Sequence, residues 1–112
     1  LRGYGYVTAY CAAKHALVGF TRALAIETAK TGITVNAVCP GYTDTALARG
    51  SIERVAARTG RAESEVLGEY VKDVPIRRLI RPEEVAAAVL FLCGPEAAAV
   101  TGATLPIAGG EI

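Results

Sequence analysis

The sequence predicts an α/β fold in which helices connect the strands of a parallel sheet. Two helical patterns, at 10–30 and from Pro82 onward, alternate with two short segments typical of strands, at 33–39 and 103–108. Parallel strands need long crossover connections, and the order helix, strand, helices, strand provides them. We expect the whole chain, 1–112, to form part of one domain.

A long helix is predicted over 10–30, after a glycine-punctuated loop at 1–8. Gly32 lies where a helix C-terminal cap is expected, and the β-branched residues of 33–39 indicate a buried strand that ends at Pro40. The apolar residues of the helix recur at steps of three and four and form one stripe: Ala13, Leu17, Phe20 and Leu24.

Two short, charged helical patterns follow and predict a mobile substrate lid at 45–80. Each pattern has one apolar face. The residues of the first face are Ile52, Val55 and Ala56, and those of the second are Val66, Leu67, Tyr70 and Val71.

Pro82 is expected to open the last helix, because proline is tolerated in the first helical turn. Glu83 and Glu84 would then lie at the positive end of the helix dipole, and Gly94-Pro95 would end the helix.

Composition excludes several classes of partner. The chain is 52% hydrophobic and 21% charged with a net charge of +1, so no electrostatic surface for nucleic acid or for an anionic membrane is expected. No apolar run approaches the roughly 20 residues of a membrane span. The three cysteines form no C-x-x-C pair and fit a reducing cytoplasm, and His15 is the only histidine, so no metal site is predicted.

Tyr10 and Lys14 are the residues most suited to chemistry. Side chains four residues apart share one face of a helix, so the ammonium can approach the phenol. An isolated phenol titrates near pH ~10 and is a poor base at neutrality. A neighbouring positive charge favours the phenolate, and such a pair can exchange a proton with an alcohol or a ketone.

After Tyr10-Cys-Ala-Ala-Lys14 the chain continues HALVGFTRALAIETAKTGITVNAVCPGYTDT, and this sequence resembles the short-chain dehydrogenase/reductase family over nearly the whole chain. The resemblance implies the C-terminal portion of a Rossmann-like doubly wound parallel sheet whose N-terminal half is missing. It also implies an NAD(P)-dependent oxidoreductase in which Tyr10 exchanges the substrate proton and Lys14 holds the cofactor ribose. The sequence does not choose between NAD and NADP.

The segment Pro40-Gly41-Tyr-Thr43-Asp-Thr45 resembles the P-G-x-x-x-T turn of that family. The resemblance implies that the backbone at Thr43 and the hydroxyl of Thr45 contact the nicotinamide carboxamide. The residues it assigns to cofactor binding are therefore Tyr10, Lys14, Pro40, Gly41, Thr43 and Thr45. Thr43 departs from the aliphatic residue that is more usual at its position, and Ala108-Gly-Gly replaces the family's D-G-G ending.

Other parts of the family pattern do not occur in this sequence. There is no G-x-G-x-x-G motif, and the catalytic serine and asparagine of the family would lie upstream of Leu1. We therefore expect a fragment that is inactive alone.

The segment 45–80 is most similar to members that act on 3-hydroxybutyrate or 3-oxoacyl thioesters, including polyketide ketoreductases. A 3-hydroxyacyl or 3-oxoacyl substrate is the resulting expectation, together with a dimer or tetramer packed through the long helix and the C-terminal helix and strand. The alternative is a truncated or non-catalytic homologue with only an assembly role.

The remaining polar residues are given structural interpretations. Asn36 is expected to tie neighbouring backbone segments together by side-chain hydrogen bonds. His15 is interpreted as an exposed neighbour of Lys14, Cys39 as a small apolar residue, and Arg77-Arg78 as a solvated pair.

Overall fold

Residues 6–111 are described by a computed structural model, and its elements follow the predicted order. The predicted loop at 1–8 lies largely outside these residues. The helices are α1 (Thr8–Thr28), α2 (Ala46–Thr59), α3 (Glu63–Val71) and α4 (Pro82–Cys93), the strands are β1 (Ala37–Pro40) and β2 (Thr104–Ile107), and short 3₁₀ turns follow α1 (Ala29–Thr31) and α4 (Pro95–Ala97).

β1 and β2 pair in parallel, with Ala37 opposite Thr104 and Pro40 opposite Ile107. Helix α1 contacts β1, and α4 contacts both strands. The residues of β1 before Pro40 are half-buried, whereas a buried strand was predicted. The reason is that these two short strands are the whole sheet within residues 6–111.

β1 is also shorter than the strand predicted at 33–39. Ahead of Ala37 the neighbouring chain turns at Gly102, whose φ is +72°. The Gly102 N–H still donates to the Val35 carbonyl at 2.8 Å, but the Val35 N–H donates to the Thr101 hydroxyl at 3.1 Å instead of a ladder carbonyl. Residues 33–36 therefore precede β1 without being paired as a strand.

Asn36 joins the two strand entrances, as predicted. Its Nδ2 donates to the Val100 carbonyl at 2.8 Å, and its Oδ1 accepts from the Ala103 N–H at 3.0 Å. One side chain thus satisfies two backbone groups that the short ladder leaves without partners.

Helix α1 begins and ends two residues before the predicted bounds, and the predicted cap, Gly32, ends the 3₁₀ turn that continues it. Gly32 adopts φ +78° and donates its N–H to the Ala29 carbonyl at 3.4 Å. The residues that α1 buries are Val18, Thr21 and Ala25, whereas Phe20 of the predicted apolar stripe is 63% exposed. The helix is apolar on more than one side, so periodicity alone did not show which side packs inside.

Residues 45–80, which we name the lid after their predicted role, contain two small apolar clusters of their own. Half-buried Leu67 and Tyr70 pack against both clusters and join them. The buried members of the first cluster are Ile52, Ala56 and Val66, and those of the second are Val71, Val74 and Leu79. The predicted apolar faces of α2 and α3 are confirmed.

The start of α4 is tied to the end of the lid by charge. The Arg81 N–H donates to Glu84 Oε2 at 2.8 Å, which caps the first turn, and Arg78 forms a bidentate ion pair with Glu84 at 2.7 and 2.8 Å. Arg78 is exposed, as expected for a solvated residue, but the ion pair with Glu84 was not predicted. Its neighbour Arg77 donates to the Lys72 carbonyl at 2.6 Å.

Candidate active site

A cavity of about 300 Å³ lies between the first half of α1 and the two strands. Tyr10 and Lys14 line it from the helix, Pro40 and Gly41 from the end of β1, and Ala108 from the residues after β2. Ligands of parallel α/β sheets bind at the carboxyl ends of strands, and the lining of this cavity includes the carboxyl end of β1. Four of the six predicted site residues therefore come together.

Tyr10 and Lys14 face this cavity from successive turns of α1. The Lys14 ammonium stands over the Tyr10 ring, 5.3 Å from its centroid, and Tyr10 is 62% exposed. Such a contact stabilises the pair by about 0.5–1 kcal/mol at an exposed site. The arrangement places an ammonium group beside a phenol that a small molecule can reach.

Gly41 brings the turn after β1 close to the residues that follow β2. Its N–H donates to the Ile107 carbonyl at 3.1 Å. A Cβ at position 41 would lie 3.1 Å from both Cα and Cβ of Ala108, so only glycine fits without displacing the neighbouring chain. The small residues at 41 and 108 thereby fix one wall of the cavity.

Thr43 and Thr45 lie beyond the residues that line the cavity. The Thr43 hydroxyl donates to the Gly41 carbonyl at 3.0 Å, and the Thr45 hydroxyl accepts from the Ala48 N–H at 3.2 Å, which caps α2. The backbone N–H of Thr43 donates to no acceptor in the described part of the chain. It remains a candidate donor to a ligand.

Asp44 and Arg49 form a bidentate pair beside this turn, with both N–O distances 2.5 Å. The hydrogen bond from the Arg49 guanidinium holds the pKa of Asp44 below its ordinary value. Asp44 is thus a partnered carboxylate at neutral pH and is not available as a general acid.

Four further cavity residues with titratable side chains were not assigned to the site from sequence: Cys11, His15, Cys39 and Glu111. His15 Nδ1 lies 2.8 Å from the Cys11 carbonyl, and the helical spacing of the two residues could have indicated this contact. No sequence pattern indicated that Glu111 would line the cavity, because only the pairing of β1 with β2 brings it near α1. Within residues 6–111 no group of His, Cys, Asp and Glu side chains is placed to hold a metal ion.

The family model described as enoyl-(acyl carrier protein) reductase matches residues 1–111. A short chain dehydrogenase family protein from Francisella tularensis, 36% identical in sequence, superimposes with a TM-score of 0.90 over 97% of this chain and 45% of that one. The chain belongs to the short-chain dehydrogenase/reductase family.

Other similar proteins are named reductases or dehydrogenases. A D-beta-hydroxybutyrate dehydrogenase of Rhizobium meliloti is 40% identical over 94% of this chain and 41% of its own length. An acetoacetyl-CoA reductase of Allochromatium vinosum is 42% identical over 90% of this chain and 37% of its own length. A single-substitution variant of actinorhodin polyketide ketoreductase, crystallised with NADPH, is 44% identical with a TM-score of 0.86 over 97% of this chain and 42% of that one.

The chain spans about two-fifths of the length of the curated relatives it matches. Within that span the fold is that of the C-terminal part of the family's parallel α/β domain. No helix among residues 6–111 combines the length and the apolar character of a membrane span.

Proposed function

We propose that this chain supplies the proton-transfer and nicotinamide-binding part of an NAD(P)-dependent oxidoreductase. The reaction is hydride transfer between the nicotinamide and a secondary alcohol or ketone. The observation that carries the proposal is the meeting of Tyr10 and Lys14 with Pro40 and Gly41 in one cavity at the carboxyl end of β1. This is the place in an open α/β sheet where a dinucleotide is bound.

The residues present fit the nicotinamide end of such a cofactor. The Lys14 ammonium is a donor for ribose hydroxyls, and the Thr43 N–H has no acceptor within residues 6–111 and suits a carboxamide oxygen. The Thr45 hydroxyl uses its oxygen as an acceptor and keeps its proton for donation. When bound, the nicotinamide would supply or accept the hydride.

The chain's own part in the reaction is movement of a proton. In the reductive direction the Tyr10 hydroxyl gives its proton to the ketone oxygen, and the Lys14 ammonium stabilises the phenolate that remains. In the oxidative direction the phenolate takes the proton of the alcohol. The exposure of Tyr10 leaves its hydroxyl open to a substrate.

The proposed substrate is a 3-oxoacyl or 3-hydroxyacyl compound. Support comes from relatives named for D-beta-hydroxybutyrate, acetoacetyl-CoA and polyketide ketoreduction. It also comes from the lid segment, whose sequence resembles that of members acting on such compounds. These substrates carry the carbonyl or hydroxyl group that Tyr10 would serve.

We also infer a homo-oligomer in the cytoplasm. Phe20 on α1 is 63% exposed and Leu90 on α4 is 74% exposed, and large apolar side chains grouped on two helices are typical of association surfaces. The three cysteines at 11, 39 and 93 form no disulfide, which suits a reducing compartment. The same apolar faces would serve the second candidate function, assembly without catalysis.

The proposal is tested with the natural full-length protein. NADH and NADPH are supplied separately with an acetoacetyl thioester, and with a simple ketone for comparison. The absorbance of the reduced nicotinamide is followed. We expect oxidation of one nucleotide with the acetoacetyl thioester. No oxidation with either nucleotide and either ketone, from a protein that is folded and assembled, would favour the assembly-only function.

A further inference from the structure

We infer that Tyr70 of the lid is a positioning residue for the turn at 40–45. It acts through Tyr42, and it fixes the peptide group whose N–H is offered to the cofactor. The kinetic consequence rests on the proposed function, whereas the structural coupling itself does not.

The two ends of the lid meet at its base, where the turn at 42–44 contacts Ile80. The Ile80 N–H donates to the Tyr42 carbonyl at 2.8 Å, and the Asp44 N–H donates to the Ile80 carbonyl at 2.8 Å. These bonds form an isolated parallel bridge between Thr43 and Ile80, and Ile80 is buried. The turn and the lid therefore cannot move independently at this point.

The peptide group between Tyr42 and Thr43 carries the donor that is offered to the cofactor. In a trans peptide the C=O and N–H point in opposite directions. Because the Tyr42 carbonyl points at Ile80, the Thr43 N–H of the same peptide group points away from the lid base. The orientation of this free donor is thus set by the partners of Tyr42.

The ring of Tyr42 contacts the ring of Tyr70 in the lid. The two rings meet edge to face, with centroids 5.6 Å apart and an interplanar angle of 72°. The Tyr70 hydroxyl lies 3.2 Å from Ser51 Oγ on α2, and the ring packs against both apolar clusters of the lid. Contacts with α2, α3 and the segment after α3 hold Tyr70 in place. The packed Tyr70 ring in turn limits the movement of the Tyr42 side chain.

Removing the ring should loosen the turn measurably. An edge-to-face aromatic pair contributes an interaction equivalent to a factor of about 2 to 12 in an equilibrium constant. We expect Tyr70→Leu to speed hydrogen exchange at the Asp44 and Ile80 amides by about that factor. Tyr70→Phe keeps the ring, loses only the link to Ser51, and should change these rates less.

The experiment is a double-mutant cycle in the natural full-length protein. The variants are Tyr42→Leu, Tyr70→Leu and the double variant, with Tyr70→Phe as the conservative change. Leu47→Ala, at an exposed lid position, is the control. Hydrogen exchange at Asp44 and Ile80 and the KM for nicotinamide nucleotide are measured for each.

The inference predicts that the two single changes are not additive, and that each raises the nucleotide KM while Leu47→Ala does not. Additive effects on exchange, or exchange rates in Tyr70→Leu equal to those of the control, would overturn it. Should Tyr70→Leu fail to fold, Tyr42→Leu and Tyr70→Phe still decide the outcome, because Tyr42 is 43% exposed and Tyr70→Phe keeps the packed ring.

Failure of the proposed function is distinguishable from failure of this inference. A wild-type protein without nicotinamide-dependent turnover would remove the function, and the exchange cycle would still decide the coupling. An active wild-type protein whose Tyr42 and Tyr70 variants behave like Leu47→Ala in both measurements would remove the positioning role alone.

Discussion

Gly109 marks the closest approach between the residues after β2 and the end of the lid. Its carbonyl accepts from the Ile76 N–H at 3.2 Å. A Cβ there would lie 2.4 Å from Ile76 Cγ1, and the φ of Gly109 is +62°. Both the contact and the backbone conformation therefore require glycine.

Gly109→Ala should lower the free energy of unfolding by about 1–2 kcal/mol, because a left-handed backbone strains an L-residue and the Ile76 side chain must move. The matched control is Gly68→Ala on α3, where a Cβ meets nothing within 4 Å. The control should stabilise the protein by about 0.5–1 kcal/mol, since alanine favours helix. Urea unfolding measures both changes, and an equal effect of the two would contradict this account of Gly109.

The sequence alone could predict which site residues meet only where those residues lie on the same helix. Tyr10 and Lys14 share a helix, so their spacing alone places them together. Their meeting with Gly41 depends on the packing of α1 against the sheet, and its prediction came from a family resemblance. The cofactor roles of Thr43 and Thr45 remain predictions.

Among the elements, α4 and the lid are joined by the carboxylate of Glu84. The hydrogen bonds from the Arg78 guanidinium, with that from the Arg81 N–H, hold the pKa of Glu84 far below its ordinary value. A carboxyl group whose pKa is lowered by folding stabilises the folded state at pH values above its unfolded pKa. That contribution is lost as the pH falls toward the folded pKa.

Glu84→Gln should therefore lower the free energy of unfolding at neutral pH. It should also make that free energy depend less on pH between about pH 5 and about pH 3. Glu83→Gln, in the same helical turn, is the control and should keep the wild-type pH dependence. Thermal unfolding across this pH range measures both. Identical pH profiles for Glu84→Gln and the wild type would show that the ion pair does not contribute.

Helices were easier to predict than strands because their signals are local. Helix ends are marked in the sequence itself by Pro82 with the two glutamates that follow it, and by Gly32, a residue type that favours the left-handed conformation of a cap. β1 is shorter than predicted because a strand exists only where a partner pairs with it, and the partner turns at Gly102. The choice of which face of α1 is buried was likewise decided by tertiary packing.

The exposed apolar faces on α1 and α4 are the basis of the proposed association between copies. Phe20→Glu should shift the natural full-length protein toward smaller species, because burying the new carboxylate in an interface is costly. Leu47→Glu makes the same chemical change on the exposed surface of α2 and should leave the assembly unchanged. Sedimentation velocity measures both, and an unchanged distribution for Phe20→Glu would place the contact elsewhere.

The central claim, that Tyr10 carries the substrate proton, is tested most directly by Tyr10→Phe in the natural full-length protein. Tyr6→Phe is the matched control, because Tyr6 is a neighbouring exposed tyrosine that does not line the cavity. We predict that Tyr10→Phe lowers kcat by roughly 10²–10⁴-fold with an unchanged unfolding midpoint, and that Tyr6→Phe retains wild-type turnover. Wild-type kcat in a folded Tyr10→Phe variant would contradict the account.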